Sequence, residues 1–176
     1  MRAIVAVGLT LVVFLSCAAA RAEEKEARAK LSYFGGVAIR DGELILMDGG
    51  IHGVQGHTLA VAPDGAGRWE RRVDSFRPSG KPGAGTFKPD KDELARARAA
   101  ADRLWVAAEK KSARSFFAPL GHGPPRWVWA IVLRRGDEVR ALEGGAVTRT
   151  DGAPEDARVL LQWMIDRVDE LQKTAK

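Results

Sequence analysis

A chain of 176 residues is the size of one domain, and its single cysteine, Cys17, excludes a disulfide framework, so a hydrophobic core must carry the fold. The formal charge of +5 falls to +3 once Arg2 and Arg21 depart with the leader described next. A charge of that size favours solubility and gives no ground for a nucleic-acid partner.

Met1-Arg2 is a minimal positive start, Ala3 to Leu15 is an apolar run, and Ser16 to Ala22 is a small-residue stretch interrupted by Cys17 and Arg21. The apolar run has 13 residues, where about 20 are needed to span a bilayer. Residues 1–22 therefore read as a signal peptide, with Ala20-Arg21-Ala22 as the A-x-A pattern of its cleavage site. The expected destination is the periplasm or the extracellular space. Two cleavage positions are compatible with the segment. A cut after Ala22 leaves a mature chain that starts at Glu23 and has no thiol. A cut before Cys17 makes that residue the attachment point for lipid and the protein a membrane-anchored lipoprotein, since Phe14-Leu15-Ser16-Cys17 resembles a bacterial lipobox.

Residues 23–30 are charged or Ala and read as a mobile N-terminal lead-in, with a single domain over 31–174. Leu31 to Arg40 alternates loosely around Gly35-Gly36, and Glu43 to Met47 is apolar and extended. The Asp41-Gly42 between them predicts a β-hairpin, because both central residues of such a turn need φ > 0. Asp48 to Gly56 reads as a glycine-rich loop, Thr58 to Ala62 as a strand, and Pro63 to Gly67 as a turn. Arg68 to Phe76 predicts a further strand with Trp69 and Val73 toward the core, followed by a long irregular connection from Arg77 to Pro89.

Asp90 and Glu93 stand at capping-box spacing and open a helix running to about Lys111, with Leu94, Ala97, Ala101, Leu104, Trp105 and Ala108 as its apolar stripe. Ser112 to Pro125 is a loop. Trp127 to Leu133 is apolar on both faces and predicts a central strand, which turns at Arg134 to Asp137 and pairs with Glu138 to Leu142. Pro154 suits the first position of a second helix, whose stripe is Ala157, Leu160, Leu161, Met164, Val168 and Leu171. The expected fold is α+β: a mainly antiparallel sheet of about five to six strands with two amphipathic helices packed on one face.

Motifs that carry chemistry are few. Of the three histidines, His52 and His57 share the glycine-rich loop with Asp48, and these three residues are the candidate ligands of a metal-dependent hydrolase, since a catalytic metal takes three protein ligands and an open position. Their spacing matches no helical ligand pattern. There is no G-x-S-x-G, no G-x-G-x-x-G and no P-loop, so no catalytic residue and no cofactor is expected. Arg68, Arg71, Arg72, Arg77, Lys81 and Lys88 cluster in sequence as either a solvated face or an anion-binding patch. Trp127 and Trp129 share a strand face and suit a core packed under two helices. Phe116-Phe117, within a Pro/Gly loop, is the candidate contact with a partner protein.

Tyr33-Phe34-Gly35-Gly36-Val37-Ala38, then a hairpin, an amphipathic helix, the paired strands Arg126 to Leu142 and a helix bearing Leu160-Leu161-Gln162-Trp163, together resemble the layout of emfourin-type proteins. That resemblance implies a small sheet-and-helix domain and, because some of the family inhibit thermolysin-like metalloproteases, a protease as the partner class. It carries over no inhibitory residue. The expected role is that of an exported, non-catalytic domain that binds another exported protein such as a protease. The alternatives are a structural envelope lipoprotein anchored through Cys17, in which case only the lipid meets the membrane, and the metal-dependent hydrolase.

Overall fold

A computed structural model describes residues 26–50, 56–73, 81–110, 127–146 and 153–174. Residues 1–22 with Cys17, and His52, Arg77, Phe116, Phe117 and His122, lie outside the described residues. The expected α+β class holds. Strands β1 (Ala27–Leu31), β2 (Gly35–Ile39), β3 (Leu44–Gly50), β4 (Gly56–Val61), β5 (Gly67–Arg72) and β6 (Gly83–Phe87) precede helix α1 (Lys91–Lys110). Strands β7 (Trp127–Arg135) and β8 (Glu138–Ala146) and helix α2 (Glu155–Thr174) follow it. Six strands form one sheet in the order β6-β5-β4-β3-β7-β8, while β1 and β2 form a separate two-stranded sheet. Every pairing is antiparallel.

The six-stranded sheet has a different cover on each face. Leu44, Leu46, Leu59, Val61, Trp69, Trp129, Ile131 and Leu142 face α1 and α2, which bury Ala97, Ala101, Leu104, Leu160, Leu161, Met164 and Val168 against them. On the other face Ile45, Met47, Ala60, Ala130 and Val132 pack under the β1–β2 hairpin through Ala29, Leu31 and Ile39. Both helices thus lie on one face as expected, and the hairpin forms an additional layer on the other. This double cover is why β3 and β7 read as unbroken apolar runs. Trp129 is fully buried, and the room for its indole comes from Gly144, where any Cβ would overlap the ring.

Five boundaries differ from the sequence reading. The strand expected over Arg68 to Phe76 ends at Arg72, which leaves Val73 outside it and half-buried rather than in the core. Ala27 to Leu31, expected within the mobile lead-in, is β1, because its alternation places Ala29 and Leu31 inward. Asp41-Gly42 does not join a hairpin: Gly42 has φ 66°, but β2 pairs with β1 while β3 pairs with β4 and β7, so the turn passes the chain from one layer to the next. The hairpin turn is instead Ser32 to Phe34, closed by Gly35 at φ 73°. Residues Gly83 to Phe87, read as irregular, are the edge strand β6. Finally, Asp48 and His57 lie on strands rather than in a loop.

Long-range polar contacts fix the layers. The Glu143 carboxylate accepts the Ser32 N–H at 2.8 and 3.0 Å and the Tyr33 N–H at 3.4 Å, tying the hairpin turn to β8. Arg140 donates to the Trp105 carbonyl at 2.6 Å and stacks 4.1 Å from the Trp105 ring, joining β8 to α1. Arg98 on α1 donates to the carbonyls of Gly42 at 2.7 Å, Val61 at 3.2 Å and Ala62 at 2.9 Å, gathering two turns under one guanidinium. Burial lowers the Arg98 pKa from the ordinary arginine value, against the opposing pull of Asp102.

Candidate functional site

The two ends of the six-stranded sheet are built differently. At one end β4 and β5 are joined through residues 62–66, β7 and β8 through Gly136-Asp137, and β3 is entered through Asp41-Gly42. At the other end the register sets Gly50 beside Trp127, Trp127 beside Ala146, Gly49 beside Gly56, Gly56 beside Arg72, and Arg71 beside Gly83. Residues 51–55, 74–80, 111–126 and 147–152 therefore all connect to strand ends at this second end. An antiparallel meander produces this asymmetry whenever the short turns fall on one side, and it collects the longer connections into one region.

The most polar part of the core sits at that same end. Strand periodicity directs Asp48, two positions after Leu46, and His57, two before Leu59, to the helix-facing side, and the register makes them direct cross-strand partners. Asp48 Oδ1 accepts the His57 backbone N–H at 2.8 Å and lies 2.9 Å from His57 Nδ1. A carboxylate only accepts, so Nδ1 carries the proton and the imidazole is held in one orientation with Nε2 turned away from Asp48. Both residues are buried, Asp48 1% and His57 2% exposed, and His57 Nε2 has no hydrogen-bond partner among the described residues.

A carboxylate-oriented imidazole is the arrangement found behind metal ligands and general bases, where Nε2 does the work. Here it lies under the helices, and His57 lines none of the described grooves. No group of three potential metal ligands exists among the described residues. The structure thus brings Asp48 and His57 together as a hydrogen-bonded pair, with Asp48 orienting His57. The sequence carried this signal in its period of two, which the glycines around the pair obscured.

The row continues from His57 to its cross-strand neighbour Arg71. The Arg71 guanidinium lies 3.6 Å from Asp169 and hydrogen-bonds Gln172, whose Nε2 donates to the Lys81 carbonyl at 2.6 Å. The end of α2 is thereby tied to β5 and to the start of β6. Around this junction Trp69, Arg71, Lys81, Pro82, Gly83, Asp169, Gln172 and Lys173 line an open groove of about 510 Å³.

The basic residues do not form a single patch. Arg68 is on the opposite face from Arg71 and pairs with buried Glu43 at 3.0 Å, and Arg72 shares its side of β5. Lys81 and Lys88 are exposed at the two ends of β6. Trp129 is fully buried in the helix-side core and Trp127 half-buried at the strand end, so the two do not make an open aromatic platform. Among the described residues no helix is long and apolar enough to cross a membrane. The sequence matches no family model and no curated protein.

Proposed function

We propose that this protein is an exported, non-catalytic domain that receives a protein partner at the end of the sheet to which residues 51–55, 74–80, 111–126 and 147–152 connect. The observation that supports this reading most directly is that 74–80, 111–126 and 147–152, each longer than five residues, meet 51–55 at one end, whereas the sheet's turns at the other end span five residues or fewer. Binding residues concentrate on connections held by a rigid frame, and the frame here is covered on both faces. The charge of +3 after the leader is too small to favour a polyanion over a protein. A protease is the partner class implied by the emfourin resemblance.

Site-specific photocrosslinking in the native host tests the reading. A photoreactive residue at Phe116 is expected to trap a discrete protein partner, and one at Asp137, on the short-turn end, to trap none. Equal trapping from both positions, or from neither, overturns it. Titration against a thermolysin-like metalloprotease tests the partner class: stoichiometric loss of peptidase activity supports a protease, and unchanged activity removes it. Intact mass of the protein from the envelope decides the anchor. A chain starting at Glu23 is a free domain, and an acylated chain starting at Cys17 is a lipoprotein.

A further inference from the structure

Strand β6 is one edge of the six-stranded sheet and pairs with β5 alone. An edge strand presents a row of N–H and C=O groups to whatever lies beside it. Among the described residues no backbone hydrogen bond reaches the outer side of β6, and Ala84, Gly85 and Thr86 are exposed. On its helix-facing side the strand carries only Phe87, which packs against the core at its far end, while Gly83 and Gly85 leave the rest of that side without side chains. A Cβ on Gly83 or Gly85 would come within 2.8 or 2.9 Å of the Trp69 indole, which lies across that stretch of backbone. Among the described residues the edge is therefore open, and its first half is bare.

Its surroundings are basic. Exposed Lys81 and Lys88 bracket the strand, and Arg71 and Lys173 stand with Lys81 around the groove at its start. Of the nearby acids, Asp169 is engaged by Arg71, and Glu70, the exposed cross-strand partner of Ala84, leaves the four cations around the strand in excess. We propose that β6 is a docking edge for an extended acidic segment of a protein partner, which adds a strand along Gly83 to Phe87 and places carboxylates beside Lys81 and Lys88. This rests on the protein-binding reading above and names the chemistry of one contact within it. The occupant is argued from charge. A second copy pairing two-fold along β6 would bring Lys81 of each chain beside Lys88 of the other, a like-charge juxtaposition that disfavours it. A nucleic-acid backbone offers acceptors and, in RNA, only a 2′-hydroxyl donor at a spacing unlike a strand's, so it leaves the carbonyls of the edge largely without donors, whereas a peptide supplies both groups in register. Pro82 and Pro89 confine the ladder to 5 residues, so charge must supply most of the selectivity.

The test uses the full mature protein and a blocked octapeptide of alternating valine and glutamate, followed by calorimetry and amide hydrogen exchange. Binding is expected to protect amides within residues 83–87. The surface variant Lys81→Glu/Lys88→Glu is expected to weaken it about tenfold, and a peptide N-methylated at alternate amides is expected not to bind. The proposal is overturned by absence of binding, by equal affinity for the N-methylated peptide or for an alternating valine–lysine peptide, or by protection confined to other strands. It is equally overturned if the protein alone is a dimer with residues 83–87 already protected, or if an oligonucleotide of matched charge gives the same protection. Crosslinking from Phe116 in the Lys81→Glu/Lys88→Glu background separates the two readings. Crosslinks that persist while the peptide fails to bind sink the edge alone, and peptide binding without crosslinks sinks the loop-end reading alone.

Discussion

Asp48 accepts two hydrogen bonds from one residue on the neighbouring strand, and it does so beneath two helices. Cutting that pair in half leaves a buried polar group without its partner, which costs about 1–3 kcal/mol or more. Replacing both members by apolar residues removes the need of either side chain for the other. Asp48→Ala is thus expected to lower the urea midpoint strongly, and Asp48→Leu/His57→Leu to recover only the part due to the imidazole, because the backbone N–H of residue 57 still lacks the acceptor that Asp48 supplied. A double variant no more stable than the single one would show that the pair has no such coupling. Trp129 and Gly144 test packing in the same way. Gly144→Val sets a branched side chain where the indole already lies, so a loss of about 1–3 kcal/mol is expected in denaturant unfolding.

Helix α1 starts with a reciprocal cap: the Glu93 N–H donates to Asp90 Oδ1 at 2.7 Å, and the Asp90 N–H donates to Glu93 at 3.2 Å. The Glu93 N–H holds the Asp90 carboxyl below its ordinary value of 3.8. A carboxyl depressed on folding stabilises the fold above its unfolded pKa and loses that contribution as pH falls through the folded one. Protection of the Glu93 amide, relative to the intrinsic exchange rate at each pH, is therefore expected to fall below about pH 4, and Asp90→Asn, which still caps, is expected to flatten that dependence. The β1–β2 hairpin depends on Glu143 in a comparable way. Glu143→Ala should raise exchange in residues 27–31 selectively, and exchange unchanged there would show that the apolar contacts of Ala29, Leu31 and Ile39 suffice alone. The helices, their caps and β7 were legible because each carries a full period of apolar residues. Strand β6 was not, because its glycines answer to Trp69, a residue on another strand. The Asp41-Gly42 pair identified a turn, but turn chemistry says nothing about which strands then pair. Of the candidate site, Asp48 and His57 were legible as residue types; that they touch depended on a register that only the assembled sheet supplies.

At the scale of the molecule, the sheet grows from both ends of the chain. Strands β3, β4, β5 and β6 follow one another in sequence, yet β3 completes its second edge only with β7, Leu44 meeting Leu133 and Gly50 meeting Trp127. Pairing so distant in sequence raises contact order and slows folding. Refolding is expected to fall in the range of about milliseconds to seconds, and Val132→Ala, which thins the β7 contacts beneath the hairpin, is expected to mark how early that closure occurs. A folding rate untouched by Val132→Ala would place the closure after the barrier. The same topology sets a timetable for a nascent chain. Until residues 127–133 have been synthesised, the helix-facing and hairpin-facing cores both lack their middle strand, so the polypeptide stays unfinished and threadable through most of its production. A chain broken off before Trp127 would lose the centre of its sheet and become a substrate for chaperones or proteases rather than a smaller working domain.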